Sequence, residues 1–246
     1  PELAEEALGT LLANGMMVRA GQVAGRFTGT EKAELAPSRV FIVTCDRPAA
    51  VERLLESMLR DAKLSRHESL WLVDDSRQAD SRTANRELVA RFNTRSPKEM
   101  RYVGEEAQRT LLAGLIAKEP DAEAGLRFLL DAAQWSGHPT YGRARTVCVL
   151  LSVGFRTILM DDDVLCQAVL PPNSEGGLGF HHAAPREAVF FADRDELMRA
   201  ARPAGFDPLG GHVSLLGRTV DAAIESCVSG GLSPEQLHAV EASEVR

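Results

Sequence analysis

Short apolar runs and helical stripes alternate along most of the chain. Residues 39–44 (RVFIVT) form a short apolar, β-branched run, as expected of a strand buried on both faces of a parallel sheet, and 69–73 (SLWLV) and 156–160 (RTILM) read as further strands. A weaker run at 99–103 (EMRYV) suits a further strand before Gly104. Between these runs, residues 46–63 carry Pro48 at a helix start and repeat apolar side chains at 51, 54, 55, 58 and 62, the stripe of one helix face. Residues 80–93 repeat the pattern through Ala84, Leu88 and Phe92. The segment 105–134 is helical in pattern and divided by Pro120, with Leu126, Leu129, Leu130 and Ala133 along its second half. Residues 143–154 form an apolar helix that Gly154 ends. Strands separated by helices of this length predict βαβ crossovers: an α/β, Rossmann-like fold with a mostly parallel sheet flanked by helices.

The two ends are less regular. Residues 3–16 have Leu3, Ala7, Leu11 and Leu12 along one helical side, and 21–38 mix Gly, Thr, charge and Pro as a linker does. Residues 1–38 are therefore expected to be a short helical appendage and linker, ahead of a domain over 39–246 whose regular half is 39–165. In the second half, 166–246, a loop over 171–186 holds three prolines, three glycines and the pair His181–His182. A strand at 188–191 (AVFF) and helices at 193–202 and 217–229 follow. The last residues, 239–246, run in a charged helical pattern without a closing signal, so this half is expected to be truncated.

Composition narrows the function classes. The 246 residues are 44% hydrophobic, enough for a sizeable core. Lys+Arg 28 against Asp+Glu 35 leave a net charge of −7, which gives the whole molecule no electrostatic reason to bind nucleic acid or an anionic membrane. No apolar run is long enough for an integral membrane segment, and the acidic N-terminus is unlike a signal peptide, so a cytoplasmic protein is expected. Cys45, Cys148, Cys166 and Cys227 form no CxxC pair, which argues against a zinc knuckle or a disulfide framework and for small buried hydrophobes.

Candidate chemistry sits where strands pass into helices. In a parallel sheet the loops after the strands share one rim, and three of them are polar here: Thr44-Cys45-Asp46-Arg47, Asp74-Asp75-Ser76 and Asp161-Asp162-Asp163. Three adjacent aspartates suit a solvated turn, because Asp bonds nearby backbone N–H groups. They also raise one another's pKa and repel, so a buried strand end carrying them needs a counter-charge. Strand alternation would aim Asp161 and Asp163 at a common space and Asp162 elsewhere, a pair of oxygen donors suited to Mg2+ or Mn2+, and that cation is expected to supply the counter-charge.

In order and spacing, these junctions resemble the nucleotide-sugar-dependent glycosyltransferases of the GT-A fold, family 2 in particular. The matching features are TCDRP (44–48), VDDS (73–76), and an Arg-bearing helix, a Gly and a short strand leading to D-x-D (143–164), over roughly half the chain. The resemblance implies a Mn2+- or Mg2+-dependent enzyme that moves a sugar from a UDP-sugar donor to an acceptor the sequence does not identify, with 39–165 as the nucleotide-binding half and 166–246 as the acceptor side. It implies Asp163 as metal ligand, with Asp161 on the metal or the ribose and Asp162 beside them at the cofactor. Asp74, Asp75 and Ser76 would meet the nucleoside, Thr44, Asp46 and Arg47 would line its pocket, and Arg143 or Arg145 would lie near the diphosphate or base. A late His, here His212, is a further metal ligand in some relatives. The chain departs from the family in Thr146, where an Asn is usual, in its long 105–140 segment, and in having no Glu-Asp dipeptide after Val164. Asp207 and Glu235 are the carboxylates left to nominate as catalytic base.

Three other functions compete. A sugar nucleotidyltransferase shares the sheet, but TCDRPAAVER (44–53) lacks the Gly-rich basic loop that would hold a triphosphate. A non-catalytic nucleotide-sugar or partner-binding module needs only the first half of the site. A hydrolase with paired carboxylates would place its acid and base on different elements, which a contiguous Asp triplet does not predict.

Overall fold

Two N-terminal helices, α1 (Glu2–Ala13) and α2 (Ala20–Ala24), precede the first strand. The computed structural model describes residues 2–25, 35–135, 138, 142–170, 178–179, 189–227, 233 and 237–238. The described chain divides into two compact units, one of Leu35–Ala168 with Pro203–Leu216, the other of Pro1–Glu34, Val169–Arg202 and Gly217–Arg246. The N-terminal appendage thus groups with much of the second half, and 203–216 belongs with the regular half.

That regular unit is built on four parallel strands, β1 (Ser38–Thr44), β2 (Ser69–Asp74), β3 (Met100–Val103) and β4 (Arg156–Asp161), in the order β3-β2-β1-β4. Helices α3 (Pro48–Asp61) and α4 (Ala79–Asn93) connect β1 to β2 and β2 to β3. The return from β3 to β4 passes through α5 (Glu105–Lys118), α6 (Glu123–Leu130) and α7 (Arg143–Leu151). Strand alternation separates the two faces. Val40, Ile42, Leu70 and Leu72 pack with Val51, Leu54, Leu55 and Met58 of α3 and Leu88, Val89 and Phe92 of α4. Phe41, Val73 and Val103 pack with Leu112, Leu130, Ala144, Val147 and Cys148 of α5, α6 and α7. This is an α/β body with helices on both faces of a parallel sheet, as the periodicity predicts. Cys148 and Cys166 are buried, and burial pushes both thiols up to about 12, in keeping with inert packing residues.

The other unit holds α1, α2 and α8 (Arg194–Ala200). α8 starts with an N-cap: the Asp193 carboxylate accepts the Glu196 N–H at 2.8 Å, and the Glu196 carboxylate accepts the Ala192 N–H at 2.7 Å. Val189, Phe190 and Phe191 are not in a strand, contrary to the expectation for 188–191. A helix that the periodicity misses, α9 (Pro208–Leu215), belongs to the sheet unit, and α10 (Val220–Cys227) to the other. No helix among the described residues is long and apolar enough to cross a membrane.

At the amino ends of the strands lies a buried polar cluster. His67 is 2% exposed; its Nδ1 is 2.8 Å from the Ser38 hydroxyl, and its Nε2 has no hydrogen-bond partner among the described residues. Burial pushes the imidazole below its ordinary 6.5, against the pull of Asp207 and with Arg156, Arg66 and Lys98 adding to the depression. The unfolded chain therefore binds more protons than the folded one as pH falls from about 6.5. Stability should be full above that pH and lost below it, each kcal/mol lowering the melting temperature by about 2–4 °C. Melts between pH 7.5 and 5.5 should show the drop, and His67→Gln should flatten it.

Candidate functional site

Residues after β1, β2 and β4 close on one cleft of about 570 Å³ at the carboxyl rim of the sheet. The strand order explains its place. β1, β2 and β3 succeed one another in one direction, and β4 then returns to the other side of β1. The β1/β4 boundary is therefore the point where the strand order reverses, and ligands of open α/β sheets bind outside the carboxyl ends of the strands at such a point.

The β1 junction is fixed by Asp46, whose φ of +55° lies in the left-handed region that Asp tolerates better than most residues. Its N–H donates to the Ser76 hydroxyl at 2.8 Å, and its carboxylate accepts the N–H groups of Arg77 at 3.0 Å and Gln78 at 2.9 Å, just ahead of α4. Asp46 therefore welds the first junction to the second while still lining the cleft. Beside it, the Cys45 thiol donates to the Asp75 carbonyl at 3.3 Å. Burial, then the Asp46 carboxylate, raise its pKa, so it stays a thiol at neutral pH.

At the end of β2 the adjacent aspartates diverge. Asp74, 2% exposed, turns to the α4 side and accepts the Ser76 N–H at 2.8 Å, Asn85 Nδ2 at 3.0 Å and the Tyr102 hydroxyl at 2.7 Å. Asp74 and Ser76 thus support the rim from behind rather than lining the cleft, away from the nucleoside contact the resemblance implies. Asp75 lines the cleft and pairs with Arg143 at the start of α7. Gln108 of α5 holds that arginine: its side-chain oxygen accepts from Arg143 Nη1 at 2.5 Å, while its amide donates to the carbonyls of Asp74 at 2.9 Å and Val103 at 3.1 Å. Arg143 stands behind Asp75, and burial lowers its pKa.

β4 delivers the triplet. Asp161 is level with Val43 in the ladder, on the face covered by α7, and its two oxygens are 2.9 and 3.2 Å from Arg145 Nη2. The strand stops at Asp161, so the expected alternation does not continue. Asp162 turns inward to 4% exposure, where it accepts the Thr44 hydroxyl at 2.6 Å and pairs with Arg47 Nη1 at 3.0 Å. Asp163 shares that nitrogen at 3.1 Å. The counter-charge that the triplet requires thus stands in the cleft as Arg47 and Arg145, two half-exposed guanidinium groups brought in by the N-termini of α3 and α7.

Five aspartates (Asp46, Asp75, Asp161, Asp162, Asp163) and three arginines (Arg47, Arg77, Arg145) line the cleft. With Arg143 behind Asp75 the formal balance is one negative charge. Arg77 was not among the residues the motifs suggest, although it directly follows VDDS; its Nη2 reaches the His138 carbonyl at 2.9 Å. Among the described residues no three His, Cys, Asp or Glu side chains gather as a ready metal cage. Asp161 and Asp163, about half exposed and adjacent to phosphate-sized space, still fit in kind a hard dication that keeps one or two carboxylates and takes its remaining oxygens from phosphate and water.

Two nominated residues lie elsewhere. Asp207 is buried at the opposite rim, where it accepts the Lys63 N–H at 3.2 Å and faces Arg66 at 3.7 Å. The length of β1 puts that rim roughly 20 Å from the cleft, so Asp207 is no base for chemistry there. His212 sits on α9, the helix that Asp207 begins and that Arg156, at the start of β4, meets through the Val213 carbonyl, so it too is held at the amino rim rather than beside Asp163. His181, His182 and Glu235 lie outside the described residues. Compared with known proteins, the chain matches no family model, no curated protein and no solved structure.

Proposed function

We propose that the chain is a metal-dependent glycosyltransferase of GT-A type that takes a sugar from a UDP-sugar donor. The observation that carries this reading is the convergence of three polar βα junctions on one cleft at the β1/β4 switch point, with an acidic tip and half-exposed arginines facing the same space. Asp161 and Asp163 would hold Mn2+ or Mg2+, which supplies neutralisation of the departing diphosphate. Arg47 and Arg145 would donate charge-assisted hydrogen bonds to phosphate oxygens. Asp75, fixed by the buried Arg143, would accept hydrogen bonds from the ribose or uracil. Asp162 and Thr44 hold the acidic tip in register with β1, and Asp46 keeps the first two junctions together.

The charge balance supports dependence on the cation. A diphosphate entering a cleft with a net negative charge is repelled unless a dication enters with it. Calorimetric titration of UDP should therefore give a dissociation constant about 100-fold lower with Mn2+ than with chelator, a difference of about 2.7 kcal/mol. Equal affinities would refute the metal-bridged diphosphate site. Slow release of UDP from a panel of UDP-sugars is the second readout, with water taking the acceptor's place.

A further inference from the structure

We infer that Arg47 and Arg145 are internal stand-ins for the cation: they neutralise the aspartate triplet in the cleft and hand it over only when metal and diphosphate arrive together. This role rests on the proposed transferase site. Arg47 Nη1 spans Asp162 at 3.0 Å and Asp163 at 3.1 Å, while Arg145 Nη2 spans both oxygens of Asp161. Every carboxylate of the triplet already has a cationic partner, and no closed metal cage exists among the described residues.

Exposure decides which arginines can move. The Arg47 and Arg145 side chains are 51% and 54% exposed, whereas that of Arg143 is 10% exposed and held by Gln108 and Asp75. The Arg47–Asp163 and Arg145–Asp161 pairs are half exposed on both sides and contribute little to stability, so they cost little to part. A metal ion arriving alone must displace a guanidinium and leave it without an anion. A diphosphate arriving alone meets arginines whose charge is already cancelled. Arriving together, the ion takes Asp161 and Asp163 and the phosphates take both arginines, while the buried Asp162 keeps the Thr44 hydroxyl. Metal and nucleotide should consequently bind with strong positive coupling, each raising the affinity of the other by the same factor.

The experiment is a pair of titrations on the full chain, Mn2+ alone followed by electron paramagnetic resonance of the free ion, and UDP in saturating Mn2+ followed by calorimetry. In Arg145→Gln, Mn2+ alone should bind about tenfold more tightly than in wild type, because its competitor is gone, and UDP in Mn2+ about tenfold more weakly, because a phosphate donor is gone. Arg47→Gln should move both quantities the same way. Opposite signs separate this role from simple loss of a binding residue or of the fold, which would weaken both. Unchanged or weaker Mn2+ binding in the variants, or unchanged UDP binding, overturns the inference. A wild type without any metal-dependent gain for UDP would instead sink the nucleotide site, and the titration with Mn2+ alone would still decide whether the arginines compete with a cation.

Discussion

Asp74→Ala is expected to lower the free energy of unfolding by about 3–5 kcal/mol. Its carboxylate is 2% exposed and is the acceptor for three donors from three elements: the Ser76 N–H, Asn85 of α4 and Tyr102 of β3. Removing it strands those donors in a buried space, and each unsatisfied group costs about 1–3 kcal/mol. The damage spreads to the rim, because Asn85 also touches the Ser76 hydroxyl that receives the Asp46 N–H. Urea unfolding should show a lower midpoint with an unchanged slope. Asp74→Asn keeps one acceptor oxygen and should fall between the wild type and the alanine variant. A loss below about 1 kcal/mol in Asp74→Ala would mean that the polar network is not buried as described.

Adjacent Asp74 and Asp75 illustrate how much of this molecule the sequence makes legible. RVFIVT and SLWLV become β1 and β2 because a run apolar at consecutive positions is buried on both faces, RTILM becomes the edge strand β4 with Leu159 exposed, and the α3 stripe at Val51, Leu54, Leu55 and Met58 packs as its period requires. That the polar junctions share a rim follows from parallel strands alone. The division of labour within a junction does not, since it depends on which helix covers each face: α4 supplies Asn85 for Asp74, and α7 supplies Arg143 for Asp75.

Long-range returns are less legible still. α9 carries Gly210 and Gly211 within one turn, which weakens any helical pattern, although Asp207-Pro208 is a serviceable start signal. That this helix docks at the amino rim, taking Asp207 and His212 away from the cleft, follows from contacts with Lys63, Arg66 and Arg156 that no local pattern encodes. The sequence points to a dication as the counter-charge, whereas the described residues pair the triplet with Arg47 and Arg145. Arg47 and Arg145 are visible in the motifs, but their partners lie 116 and 16 residues away.

Replacing Asp161 and Asp163 together by asparagine should make UDP binding independent of metal, and it should do so from both directions. Both side chains are about half exposed, so the isosteric changes should alter stability by no more than about 0.5 kcal/mol. With two fewer carboxylates the cleft's formal balance passes from one negative charge to one positive, and Arg145 loses its anion. UDP without metal should therefore bind about fivefold more tightly than in wild type and become sensitive to salt, while binding in Mn2+ should fall by about 20-fold to meet it. Asp162→Asn is the control for a structural effect: Asp162 is buried on the Thr44 hydroxyl, so that change should cost about 1–3 kcal/mol of stability and weaken both binding modes. A double variant that keeps the full metal-dependent gain would remove Asp161 and Asp163 from the metal and leave the arginines as the cleft's only claim on a diphosphate.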